Sequence, residues 1–248
     1  MIYTKNGSAT TRQAVSSRGT GMTHWSAEYF GPRDTTTAAA RGVHALVTDM
    51  APDETILPHF HGTAQFQIFT GGCGKMARHD VQPLVVQFKD HHTAYGPVVA
   101  GAQGLTFFAM RMEGYGSAPV YLNKPGYREQ LQPSRRRNLL SAPLVLSTAP
   151  VLQHRSVMSC EPAYAETYDD GLSAQLLRLG AGMTAMTPDP RSAGGLYLFV
   201  VNGSLDYNGA SLPLWSMMAL EPAEAAFEIR AGDQGLEVLL LQFPRENA

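Results

Sequence analysis

Pro58-His59-Phe60-His61-Gly62-Thr63-Ala64-Gln65-Phe66-Gln67 is the stretch from which the rest of the chain is read. His59 and His61 stand two apart, so on a β-strand both imidazoles point to one face. Gln65 and Gln67 share their odd parity. If the strand keeps register across Gly62, one face carries His, His, Gln and Gln, and the other carries Phe60, Phe66 and Ile68. A half-buried strand normally turns its apolar side in and its polar side out. Here the polar set reads as the inside of a site, and the apolar face needs cover from elsewhere in the protein.

Working outward, residues 23–31 read as an aromatic-rich strand, Arg33 to Ala40 as a polar, Thr-rich loop, and Gly42 to Met50 as a strand closed by the turn Ala51-Pro52-Asp53-Glu54. After the His stretch come a turn at Gly71-Gly72-Cys73-Gly74 and strands near 75–81, 84–89 and 104–111. Strands this short and closely spaced, with no long helical period, predict an all-β sandwich or barrel. The segment 117–140 contains Pro119, Pro125, Pro133 and the run Arg135-Arg136-Arg137. It reads as a connector, with the arginines on a solvated face.

From Leu144 the pattern resumes as a repeat. Ala100-Gly101-Ala102-Gln103-Gly104-Leu105 recurs as Ala231-Gly232-Asp233-Gln234-Gly235-Leu236, an offset of 131. The same offset lays Gly72 on Gly203 and 43–50 on 174–181. Independent landmarks on one offset predict duplicated domains. The duplication also supplies a control. Positions 59, 61, 65, 91 and 92 fall on Pro190, Ser192, Leu196, Pro222 and Ala223, so every candidate ligand is lost in the second copy. The strand Leu196-Tyr197-Leu198-Phe199-Val200 predicts plain apolar core.

The His-x-His stretch resembles the first motif of the cupins, which runs His-x-His, three or four residues, Glu, then Gly some six residues on. Here it reads His59-x-His61, Gly62-Thr63-Ala64, Gln65, then Gly71 and Gly72. The resemblance implies two tandem cupin-like jelly-roll β-barrels, a bicupin. Its domains would be a metal-binding domain over 23–116, a connector over 117–143 and a degenerate domain without ligands over 144–248. It also implies a divalent transition metal (Fe, Ni, Cu, Mn or Zn) held by His59, His61, the residue at 65 and a later His. Gln65 stands where cupins carry Glu, which removes one negative charge. The second cupin motif ends Pro-x-Gly-x-x-His; that lead-in is absent, and spacing favours His92, with His91 and His79 left open.

Neutral imidazoles suit borderline transition metals, and three or four protein ligands leave coordination positions open for chemistry. The function implied is a metal-dependent enzyme on a small anionic or oxygenated organic substrate. A dioxygenase leads; a lyase, isomerase, decarboxylase or non-catalytic ligand-binding cupin is the alternative. Gln67 is a candidate to orient ligand or substrate. Tyr95 would place a phenol at the pocket mouth, and Arg111 would clamp a carboxylate. His24 and His44 read as structural.

The remaining classes are excluded by composition. Nineteen Lys and Arg against 21 Asp and Glu give a net charge of −2, which favours neither nucleic acid nor an anionic membrane. No apolar run approaches the ~20 residues of a membrane span. Gly71-Gly72-Cys73-Gly74-Lys75 lacks the first Gly and the final Ser/Thr of a phosphate loop. Cys73 and Cys160 are too few for a disulfide framework, which points to a reducing, cytoplasmic setting. Residues 1–22 read as a flexible arm. A homodimer is left open.

Overall fold

The computed structural model describes residues 1–16, 23–31 and 42–245 and divides the chain into two compact units, 11–143 and 144–248 with 1–10. The expected Thr-rich loop at 33–40 lies outside the described residues. The N-terminal segment does not behave as a flexible arm where it is described. Strand β1 (Ile2–Lys5) pairs in the second unit, and β2 (Gln13–Ser16) pairs with β3 (Thr23–Phe30) in the first. The cause is local: Ile2 packs against the apolar core of the second unit, and the terminal amine meets Glu221 and Glu224.

In the first unit the chain continues through β4 (His44–Met50), β5 (Thr55–Ile56), β6 (His59–Phe60), β7 (Gln65–Met76), β8 (His79–Val81), β9 (Val86–Lys89), β10 (Val98–Arg111), β11 (Val120–Tyr121) and β12 (Asn138–Leu140). All pairings are antiparallel. The main sheet runs β12-β9-β7-β10-β4-β3-β2, with β5 on β10 and β8 on β7. The motif strand is split. Pro58 has no N–H to give and Gly62 interrupts the pleat, so β6 leaves the main sheet, pairs with β11 and bridges to Tyr95 through His59. The sequence 117–143 is therefore not a bare connector. Its β11 covers the His59 strand, its β12 extends the sheet on β9, and Arg137 grips Asp90 with two side-chain bonds of 2.9 and 3.0 Å.

The second unit holds a short helix, α1 (Ala149–Gln153), and then β13 (Ser159–Pro162), β14 (Ser173–Leu179), β15 (Thr184–Met186), β16 (Leu196–Tyr207), β17 (Ala210–Leu212), β18 (Met217–Leu220) and β19 (Glu228–Gln242). Its order, β1-β18-β16-β19-β14-β13, matches the first unit's β12-β9-β7-β10-β4-β3; β2 and the β6–β11 pair have no counterpart there. Both sheets end on open edges; closed barrels are not seen. No helix among the described residues is long and apolar enough to cross a membrane.

The repeat is visible in the register. Strands β7, β8 and β9 sit 131 residues before β16, β17 and β18. Before the motif the offset is 129, because Met50 faces Leu105 while Leu179 faces Leu236. Two residues are inserted in the second copy between these blocks, so the alignment of 43–50 on 174–181 is two residues out. The expected Gly71–Gly74 turn is a β-bulge inside β7. Gly72 has φ +66°, and a Cβ there would lie 2.1 Å from the Gly104 carbonyl oxygen. Gly203 repeats the device at φ +67° against Gly235.

Strand parity divides the interiors. In the second unit Leu196, Leu198, Val200, Leu220, Leu236, Val238 and Leu240 form one apolar cluster. In the first unit the apolar cluster around Phe69, Leu105, Phe107 and Val85 fills only part of the interior. Gln65, Gln67, Lys89 and Arg111, all buried, occupy the rest.

Candidate functional site

The polar interior of the first unit borders a cavity of about 1070 Å³. His59, His61, Gln67, Tyr95 and Arg111 line it together with His44 and Glu28. Ile56, Leu46 and Phe107 supply apolar wall, and 117–121 closes one side. Lys124 and Gln130, both exposed, mark its open side.

His59 is fixed twice. Its backbone exchanges hydrogen bonds with Tyr95, N–H to O, at 3.1 and 3.0 Å. Its Nδ1 lies 2.7 Å from the Leu57 carbonyl oxygen. That oxygen can only accept, so Nδ1 carries the proton and Nε2 keeps its lone pair. Burial, reinforced by the Lys89 charge, pushes its pKa down to about 3. Burial and the neighbouring Arg111 hold His61 well below the usual imidazole range. Both rings are neutral at physiological pH, as ligation or proton acceptance requires.

Tyr95 sits at the centre. Its Oη is 3.2 Å from His61 Nε2 and 3.2 Å from Gln65 Nε2. Its ring centroid lies 4.4 Å from that of His59. Gln65 is held from the other end. Arg111 donates from Nη2 to Gln65 Oε1 at 2.6 Å, and since Arg cannot accept, the amide orientation follows: oxygen to Arg111, NH₂ to Tyr95. Behind Arg111 stand His44 Nδ1, 3.0 Å from Nη1, and Glu28, whose Oε2 is 3.2 Å from His44 Nε2. One contact chain thus runs Glu28–His44–Arg111–Gln65–Tyr95–His61. Gln67 accepts from the buried Lys89 Nζ at 3.1 Å, and that nitrogen, its pKa held well below the usual lysine range by burial and Arg111, also lies over the Tyr95 ring.

The sequence-predicted residues divide clearly. His59, His61, Gln65, Gln67, Tyr95 and Arg111 are brought together. His92 is not. It takes φ +54° in the turn after β9, and its ring packs on Phe60, on the opposite face of the His59 strand, at 5.6 Å between centroids. His91 meets His92 edge to face, and His79 is exposed on β8. The motif spacing explains the error. His92-Thr93-Ala94-Tyr95 fills Gly-x-x-His, with His92 in the left-handed conformation that glycine favours and Tyr95 at the histidine's place. Arg111 is buried rather than part of a surface pair. Sequence reasoning missed Lys89, Glu28 and the role of His44. The repeat held the signal for Lys89, whose partner in the second copy is Leu220.

A scan against protein-family models finds no match, and a search of curated proteins finds none. Solved structures do match. An Escherichia coli pirin, YhhW, in complex with nickel(II) superposes with a TM-score of 0.58 at 13% identity, covering 99% of this chain and 100% of its own. A proposed dioxygenase from Nostoc punctiforme gives 0.64 at 10%, covering 99% and 88%. An oxalate decarboxylase from Bacillus subtilis gives 0.58 at 11%, covering 98% and 76%. All three are cupins.

This chain has their fold. At such identities the likeness establishes the fold alone, so whether the site suits a metal rests on its own residues. His59 offers an open Nε2, and His61 Nε2 and Tyr95 Oη stand beside it on the same wall. Two imidazoles and a phenol fit a borderline transition metal and not a hard cation such as Mg or Ca. Among the described residues no group of three His, Cys, Asp or Glu assembles.

Proposed function

We propose that the chain is a bicupin whose first unit is a metal-dependent enzyme acting on a small anionic or oxygenated organic molecule. Dioxygenase-type oxidation is the leading reaction. One observation carries the reading: two neutral histidines on the wall of a cavity open on one side, with a buried guanidinium a few side chains away. The metal, Fe, Ni, Cu, Mn or Zn, would be held by His59 and His61 and would supply Lewis acidity or one-electron chemistry.

The chain's own residues do the rest. Arg111, buried and lining the cavity, attracts an anionic substrate group. His44 and Gln65 fix its guanidinium plane, so the group's position is set before substrate enters. Leu46, Ile56 and Phe107 exclude water, which strengthens each charge interaction inside.

The test is oxygen consumption by metal-reconstituted protein offered small keto acids, hydroxy acids and enols. Substrate-dependent uptake supports the oxygenase. Conversion under argon assigns a lyase, isomerase or decarboxylase. Saturable binding without turnover assigns a ligand-binding module. Absence of binding by every anionic compound would defeat the proposal.

A further inference from the structure

We propose that Tyr95, as a phenolate, is the third protein donor to the metal site built on His59 and His61, and that Gln65 is not a donor. The inference rests on the metal reading above.

The geometry comes first. Tyr95 is bridged to His59 through both backbone hydrogen bonds, so its position on the cavity wall is set by the strand that carries the histidines. Its Oη stands 3.2 Å from His61 Nε2. Donor atoms around one ion with bonds of about 2.0–2.1 Å are separated by roughly 3.3 Å in a tetrahedral set. The two atoms are therefore already spaced as neighbours in a coordination shell.

Gln65 is disposed differently. Its only atom able to bind a metal is Oε1, and Arg111 holds that oxygen at 2.6 Å. Swinging Oε1 toward the histidines would leave a buried guanidinium donor without its acceptor, which is costly. In its present orientation Gln65 instead donates Nε2–H to Tyr95 Oη. Burial raises the phenol above its ordinary range, and Arg111 and the Gln65 bond oppose that rise. Glu28 and His44 fix Arg111 in turn. The chain Glu28–His44–Arg111–Gln65 is thus a positioning device for Tyr95. On binding, the phenol O–H bond is exchanged for an oxygen–metal bond and the proton leaves to solvent. In the second unit the position corresponding to Tyr95 is Ala226, and those corresponding to Gln65 and Arg111 are Leu196 and Gln242, so the whole device is absent there.

A donor set of two imidazoles and one phenolate favours ions that accept anionic oxygen, Fe(III) and Cu(II) among them, and phenolate ligation gives a visible charge-transfer band. The experiment loads the full chain with Fe(III) and with Cu(II), and records the visible spectrum and the bound metal. Wild type is expected to show the band. Tyr95→Phe should lose the band and bind more weakly by at least about 10–100-fold, the loss seen even for residues one shell further out. Tyr95→His should keep the metal without the band, and this covers the case in which Tyr95→Phe fails to fold. Tyr121→Phe, the other cavity tyrosine beside His59, should change nothing. An ion bound by wild type with no band, or a band that survives in Tyr95→Phe or Tyr95→His, overturns the assignment of Tyr95 while leaving the metal. No ion bound by wild type overturns the metal reading and the inference with it.

Discussion

The two units share one order over six main-sheet strands, yet one fills its interior with leucine and the other in part with hydrogen-bonded polar groups. Gln65, Gln67, Lys89 and Ala109 in the first become Leu196, Leu198, Leu220 and Leu240 in the second. Both units keep the glycine bulge, the long pair β7·β10 or β16·β19, and an edge strand on β9 or β18. The architecture is therefore satisfied by apolar packing alone. A polar interior must recover the cost of desolvating each group, and the first unit does so pair by pair: Lys89 with Gln67, Arg111 with Gln65 and His44. Stability does not require that arrangement, since the second unit folds without it. A cavity needs it.

The edge strands add a second lesson. Each unit receives its outermost strand from sequence lying ahead of the other unit's sheet. β1 precedes the first unit and pairs with β18, and β12 precedes the second and pairs with β9. Without them β9 and β18 would present unpaired ladder groups.

The largest expected effect falls on the second unit. Glu237 is fully buried and is held by Arg178 Nε at 2.9 Å, Asn202 at 2.8 Å and Ser147 at 3.0 Å. Glu237→Ala takes the shared acceptor from Asn202 and Ser147 and leaves Arg178 only Glu161 and the Val145 carbonyl, and should cost up to about 3–5 kcal/mol. Calorimetry should show it in the second unit's transition, with metal and ligand binding by the first unit unchanged at low temperature.

Acid should separate the units next. In metal-free protein His59 stays neutral down to about pH 3, whereas in the unfolded chain it takes a proton near pH 6.5. Between those values the unfolded state binds more protons, so stability falls as pH falls through the window. The slope is at most about 1.4 kcal/mol per pH unit for one such histidine, and His61 acts in the same direction. The only histidine of the second unit is the exposed His154. Equal acid loss in both unfolding transitions would break the comparison.

Removal of residues 1–5 deletes β1 and the Ile2 contact. A loss of up to about 1.5–3 kcal/mol is expected, read as faster hydrogen exchange in β18 and not in β9.

The smallest effect sharpens the comparison most. Gln67→Leu or Lys89→Leu alone leaves a buried polar group unpaired and should cost about 1–3 kcal/mol. The double variant installs the second unit's pair, Leu198 and Leu220, and should return to within about 1 kcal/mol of wild type. Additive losses in denaturant unfolding would show that the two interiors are not interchangeable.

Much of the fold was readable in the chain. Alternation located β3, β4 and β10, and the 131-residue repeat located the second unit, because strand period and duplication are both written in local sequence. The parity of His59, His61, Gln65 and Gln67 survived the break at Gly62. Three things were not readable. Gly71–Gly74 looks like a turn, and only cross-strand pairing with Gly104 makes it a bulge. Ile2–Lys5 carries no sign of its partner some 215 residues away. Spacing favours His92 as the later ligand and leaves Tyr95 at the pocket mouth, yet backbone conformation decides which side chain faces inward. With φ +54° His92 turns out, and three residues later Tyr95 turns in.

The proposed function of the first unit stands on a bound metal. Purified protein is reconstituted separately with Fe(II), Ni(II), Cu(II), Mn(II) and Zn(II), dialysed, and its metal content measured against chain concentration. The prediction is one ion per chain for at least one metal, lost in His59→Ala and in His61→Ala and retained in His92→Ala. A wild-type chain that keeps none of the five, or a His92→Ala variant that loses as much metal as His61→Ala, would contradict it.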